Sequence, residues 1–245
     1  MKHRTPSPIF IGLALVTIAA GVALAAGFGP PGIMTFVFVT AAWIVTLCLH
    51  EFAHAFIAYR NGDTSVVHRG YLTLDPLKYT HVVFSLVLPI IFLIAGGIGL
   101  PGGAVFIDRS ALRSKAANSA VSAGGPLTNL ALAILLGIAV VTRSGNSPFW
   151  AAIAFLAFLQ VTAAVLNLLP IPGLDGYGIL EPWLPATWRR QAAIVAPYAV
   201  LALFALLWVP AINQAFFGAI YGVLGLLGVP PILASAGFGL YQFWR

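Results

Sequence analysis

Runs of Val, Ile, Leu, Ala and Phe about twenty residues long recur along this chain, parted by short clusters of Gly, Pro, Asn and basic residues. They lie at about 9–28, 33–58, 82–100, 117–141, 149–170, 191–209 and 213–236. A helix needs roughly 20 apolar residues to cross the hydrocarbon layer of a bilayer. The pattern therefore predicts an all-α polytopic membrane protein. The first run follows Met1-Lys2-His3-Arg4, a start resembling a signal peptide, but it is long enough to span and is read as a retained first helix. Segment 82–100 differs from a plain span. Pro89 interrupts it, and Ala95-Gly96-Gly97 and Gly99 through Gly103 surround its end with flexible backbone. Three other pieces, Thr64-Ser65-Val66-Val67, Tyr71-Leu72-Thr73-Leu74 and Ala104-Val105-Phe106-Ile107, are rich in β-branched and aromatic residues. They predict a small membrane-associated β-sheet. Non-helical backbone at membrane depth implies a wet or protein-lined cavity beside it.

Composition removes the soluble alternatives. Of the 245 residues 60% are hydrophobic and 7% charged, with a mean hydropathy of +0.99; soluble domains carry about a quarter charged residues. The polar stretches are too short to hold a core of their own. The expectation is one integral membrane domain over 1–245, with an N-terminal helix in 1–32, a core at 33–180 to which the motifs below give a catalytic role, and C-terminal helices in 186–245. A single cysteine, Cys48, excludes an internal disulfide and a multi-cysteine metal site.

The net charge of +6 reports topology here, with no nucleic-acid partner implied. With the N-terminus cytoplasmic and 82–100 re-entrant, Lys2, Arg4, Arg60, Arg69, Lys78, Arg109, Arg113, Lys115, Arg189, Arg190 and Arg245 all fall inside. Only Arg143 falls outside. A full crossing by 82–100 would divide the 12 basic residues evenly. The positive-inside bias thus favours six transmembrane helices plus one re-entrant hydrophobic segment.

One stretch of the second segment carries chemistry. In Leu49-His50-Glu51-Phe52-Ala53-His54-Ala55 two imidazoles and a carboxylate stand among apolar residues. Intramembrane ionisable groups are costly and mark functional sites. On a helix His50 and His54 project from one face and can share a metal, with Glu51 beside them where a zinc metalloprotease keeps its general base. Such an ion needs a third protein ligand and an open position. Among the six acidic residues, Asp175 stands out. It follows span 149–170 in Asn167-Leu168-Leu169-Pro170-Ile171-Pro172-Gly173-Leu174-Asp175-Gly176, where prolines and glycines break the helix. The re-entrant topology places Asp175 on the same side as the two histidines. With the helix ending near Arg60, His50 lies roughly 15 Å below the cytoplasmic end.

His50-Glu51-Phe52-Ala53-His54, Gly125-Pro126-Leu127-Thr128-Asn129 and Asn167 through Gly176 together resemble the site-2 protease family of intramembrane zinc metalloproteases, in the family's order and over about 33–180. The resemblance implies one zinc ion held by His50, His54 and Asp175, Glu51 as catalytic base, and Asn129 and Asn167 in active-site support or substrate binding. It implies a short form without PDZ or CBS domains. It also implies hydrolysis of peptide bonds within or near the transmembrane segment of single-span substrates, in a bacterial plasma membrane with the active site on the cytoplasmic side. An edge strand of the expected sheet would capture the unwound substrate by β-addition. Two positions depart from the family pattern: Asp75 and Asp108 stand where Asn is usual. A metal- or proton-coupled transporter would use the same residues but spread polar groups along a path between related halves; here they cluster at one depth. An inactive client-binding relative would not need Glu51.

Overall fold

The computed structural model describes residues 5–79, 91, 105–143, 145 and 147–245. Helix ends follow the Ser, Pro and Gly positions. Helix α1 (Pro8–Ala25) starts at Ser7, whose hydroxyl accepts the Phe10 N–H at 3.1 Å. Helix α2 (Pro31–Arg60) starts on Pro30-Pro31 and stops at Asn61-Gly62, where Gly62 takes φ of 123°. A single turn, α3 (Ser65–His68), follows. Helix α4 (Lys115–Val141) is capped by the Ser114 hydroxyl on the Ala117 N–H at 3.0 Å. Then come α5 (Pro148–Asn167), α6 (Asp175–Leu180), α7 (Ala186–Leu206), α8 (Pro210–Leu226) and α9 (Pro231–Tyr241). Five of these helices open on a proline, which is tolerated in a first turn because its missing N–H would have had no partner there.

Helix α5 is the centre. Most of its residues are buried, among them Ala151, Ala152, Ala154, Ala157, Ala163 and Ala164, whose small side chains let neighbours approach. Helices α2, α4 and α9 pack against it, and α2 and α4 also meet each other. Gly237 of α9 lies so close to the Ala151 carbonyl that a Cβ there would overlap it. Helix α1 sits outside, on α2, with Ile11, Leu15, Ile18 and Val22 exposed. An apolar surface of that kind suits lipid.

Among the described residues four helices, α1, α2, α4 and α5, are long and apolar enough to cross a membrane, or five crossings if α8 and α9 count as one broken span. The protein is a multi-pass helical membrane protein, with fewer clear spans than the six expected. The 213–236 segment is the clearest difference. It is two helices bent by 113°, because Gly228 turns left-handed at φ 69° and Pro230-Pro231 restart the chain. The 191–209 segment corresponds to α7, which begins earlier and carries Arg189 and Arg190. The expected re-entrant segment at 82–100 lies outside the described residues, apart from Ile91.

The expected sheet is not formed where the chain is described. Residues 65–68 are the α3 turn, Tyr71–Thr73 a 3-10 turn, and 105–108 irregular. Local capping outweighs the β-branched composition. The Asp63 carboxylate accepts the Ser65 N–H at 2.9 Å, and the Thr73 hydroxyl donates to the Gly70 carbonyl at 2.6 Å. Asp63 is 1% exposed and its other oxygen accepts the Asp108 N–H at 2.8 Å, so one carboxylate ties the end of α2 to the 105–108 loop. Asp63→Ala strands both donors and is expected to destabilise the protein by about 2–3 kcal/mol, the usual worth of bonds to a charged acceptor. Thermal unfolding in detergent measures it; an unchanged midpoint would refute the tie.

Candidate active site

The site begins with a close helix contact. His50, Ala53, His54 and Ile57 run along one face of α2, and Gly124-Gly125 of α4 lies against them. A Cβ on Gly125 would overlap both imidazoles, and one on Gly124 would come within 2.7 Å of Ile57 and 3.3 Å of the Ala53 backbone. Pro126 follows inside the helix. Two successive glycines are thus what allow α4 close enough for its side chains to reach the histidines.

Both imidazoles are held from behind. The His54 Nδ1 lies 2.7 Å from the Val121 carbonyl and the His50 Nδ1 lies 2.5 Å from Asn129 Oδ1. A carbonyl or amide oxygen only accepts, so each ring donates from Nδ1 and turns forward its Nε2, the nitrogen that a metal would use. The two Nε2 atoms are 3.1 Å apart. Asp175 Oδ2 closes the triangle at 3.4 Å from His50 Nε2 and 3.5 Å from His54 Nε2. Two imidazole nitrogens and a carboxylate oxygen turned on one another at these distances form a group that could hold a metal ion. Tetrahedral zinc with bonds of about 2.0–2.1 Å sets its donors about 3.3 Å apart. The three donors therefore fit one face of a zinc tetrahedron, and leave the fourth position open.

Asp175 reaches the site because the chain after α5 is built to turn. Gly173 takes φ of 99°, and Gly176 lies against the Leu168 and Leu169 carbonyls with no room for a Cβ. Gly178 sits equally tightly on Ser122 of α4. The α6 turn is pinned between α4 and the end of α5, and Asp175 opens it.

Glu51 lies beside the triangle without belonging to it. It is 2% exposed, its Oε1 is 3.9 Å from His50 Nε2, and its carboxylate accepts the Val105 backbone N–H. The expected support residues divide. Asn129 is brought to His50, as described. Asn167 is the buried last residue of α5, and no hydrogen bond joins its side chain to the cluster among the described residues. The two departures from the family pattern have local work. Asp75 caps a 3-10 turn through the Leu77 N–H, and Asp108 caps another through the Ser110 N–H. The Ser110 hydroxyl and N–H hold the Asp108 carboxyl below its usual range. Gly125, which the second motif contains without a role of its own, belongs to the site, and so does a buried pair behind Asn129 that no motif singled out, Gln160 and Thr46. A polar glutamine inside an apolar span is the signal that could have found one of them.

Comparison with known proteins agrees with this chemistry. The chain is 49% identical to "Putative zinc metalloprotease Rip2" of Mycobacterium tuberculosis, over 98% of this chain and 94% of that protein. It is 29% identical to "Putative zinc metalloprotease YwhC" of Bacillus subtilis, over 74% of this chain and 84% of that one. With "Putative zinc metalloprotease MJ0611" of Methanocaldococcus jannaschii it shares 28% over 63% of this chain and 74% of the relative. No family model and no solved structure matches the chain significantly.

Proposed function

The chain belongs to the site-2 protease-like family of zinc metalloproteases, and we propose that His50, His54 and Asp175 hold its zinc while Glu51 serves as the base. It is an intramembrane zinc metalloendopeptidase, acting on protein substrates in the membrane. The observation that carries the assignment of residues is the triangle of three donors, 3.1 to 3.5 Å on a side, with a separate buried carboxylate next to it.

When bound, the zinc supplies a Lewis acid for the scissile carbonyl and makes water a nucleophile near neutral pH. The chain's own residues do the rest. Glu51 takes the proton of the attacking water at its carboxylate and delivers it to the leaving amine. Val105 and the burial of the site keep that carboxylate aimed and shielded from bulk water. Asn129 and Val121 hold the two rings so that neither rotates out of place. The substrate's own helix hides its peptide bonds, so it must unwind locally before it fits. Asn167, at the broken end of α5, suits a hydrogen bond to such unwound backbone; Asn167→Ala that left cleavage and substrate cross-linking unchanged would remove that role.

The finer topology is part of the same reading. Counting α7 and the bent pair α8–α9 as crossings beside the four clear spans gives six, and the positive-inside bias then puts the N-terminus and the site on the cytoplasmic side of a bacterial plasma membrane. Single-span membrane proteins are the substrates that suit a site buried at this depth. The test uses purified protein in proteoliposomes with a single-span substrate. A chelator is expected to abolish cleavage, and stoichiometric zinc to restore it. Cleavage that persists once zinc content has fallen to zero would overturn the assignment.

A further inference from the structure

Behind His50 a chain of buried polar side chains runs through the centre of the bundle and out to a backbone carbonyl. The His50 Nδ1–H donates to Asn129 Oδ1 at 2.5 Å, and Asn129 Nδ2 donates to Gln160 Oε1 at 2.7 Å. Gln160 Nε2 donates to Thr46 Oγ1 at 2.9 Å, and the Thr46 hydroxyl donates to the Trp43 carbonyl at 2.8 Å. His50, Asn129, Gln160 and Thr46 come from α2, α4 and α5, and their exposures are 6%, 3%, 0% and 7%. Water cannot readily replace any partner.

The direction of this chain matters more than its existence. Each amide has one end that donates and one that accepts, so turning one amide over forces the next to turn as well. The Trp43 carbonyl, which can only accept, anchors the far end. With the Thr46 hydroxyl given to that carbonyl, Thr46 offers Gln160 an acceptor. Gln160 must then point its NH2 at Thr46 and its oxygen at Asn129. Asn129 in turn points its oxygen at His50. The reversed order would aim the Asn129 NH2 at the imidazole, demand an unprotonated Nδ1, and move the ring's proton to Nε2. That nitrogen then has no lone pair for a metal.

We propose that Gln160 and Thr46 are positioning residues that set the direction of the Asn129 amide and thereby select the His50 tautomer able to bind zinc. They touch neither metal nor substrate and act through Asn129 alone. The proposal rests on His50 being a zinc ligand, and its test separates the two claims.

The variants are Gln160→Met, which keeps length and removes the acceptor, and Gln160→Glu, which still accepts from Asn129 whether neutral or ionised. The readouts are the imidazole nitrogen chemical shifts of His50 in zinc-free protein and the zinc affinity measured by competition with a chromophoric chelator. Gln160→Met is expected to lose the pure Nδ1–H signal and to weaken zinc binding by about 10–100-fold, the usual effect of removing a partner behind a metal ligand. Gln160→Glu should keep both. Thr46→Val and Thr46→Ser form a second pair, with loss expected in the first and retention in the second, should Gln160→Met fail to fold. An Nδ1–H signal and a wild-type affinity retained in Gln160→Met or in Thr46→Val would overturn the proposal. So would a Gln160→Glu protein as impaired as Gln160→Met. His50→Ala is the control: zinc affinity unaffected by it would overturn the ligand assignment itself, whereas the tautomer signal still decides what Gln160 does.

Discussion

Glu51→Gln is expected to bind one zinc per chain with near-normal affinity and to cleave its substrate about 10²–10⁴-fold more slowly, the usual range for losing a general base. The two halves of this result have separate causes. Glu51 is not one of the three donors that form the triangle, so the metal site keeps its members. The amide has nearly the volume of the carboxylate and its oxygen can still accept the Val105 N–H. What it lacks is the capacity to take a proton. At 2% exposure no bulk water stands ready to replace it. Zinc content by mass spectrometry beside a cleavage assay reads both halves. Wild-type cleavage by Glu51→Gln would remove Glu51 from the mechanism, and zinc loss would make it a ligand instead.

Gly125→Ala should do comparable damage by a different route. The added methyl overlaps the ring nitrogens of both His50 and His54. Neither ring can swing away, because Asn129 and Val121 hold them from behind. Helix α4 must move off α2 instead. Overpacking of this kind costs typically about 1–3 kcal/mol of stability. A displacement of about 1 Å at a reacting centre is enough to cost about 10²-fold in rate. Zinc affinity should fall together with cleavage, unlike in Glu51→Gln. Gly124→Ala is the comparison. Its methyl meets mainly the flexible end of Ile57, so its effect should be the smaller of the two. Equal affinity for zinc in Gly125→Ala and wild type would refute the close contact described for α2 and α4.

How much of this could be read from the sequence depends on what kind of force fixes each part. The His50–Glu51–His54 cluster was legible because charge in an apolar segment is expensive, and expense of that sort is visible without coordinates. Asp175 was legible for a related reason: only six acidic residues exist, and its helix-breaking neighbours mark it out. The sheet was misread because β-branched composition speaks for strand, while one buried carboxylate at Asp63 and turns around Gly70 decide the backbone locally. The bend between α8 and α9 was carried by Gly228 and Pro230-Pro231, signals set against an otherwise continuous apolar run. Gly125 and the Thr46–Gln160 pair belong to a third kind. Their roles come from which helix faces meet, and no local pattern contains that.

The two histidines and the aspartate that complete the triangle stand nearly half the chain's length apart in sequence. A nascent chain that has inserted α1, α2 and α4 carries both imidazoles and the base, yet lacks the third donor. Only after α5 has entered the membrane and the glycine-rich turn beyond it has folded back can a metal be held firmly. The four clear spans of the enzyme are thus made before the residue that completes its metal site.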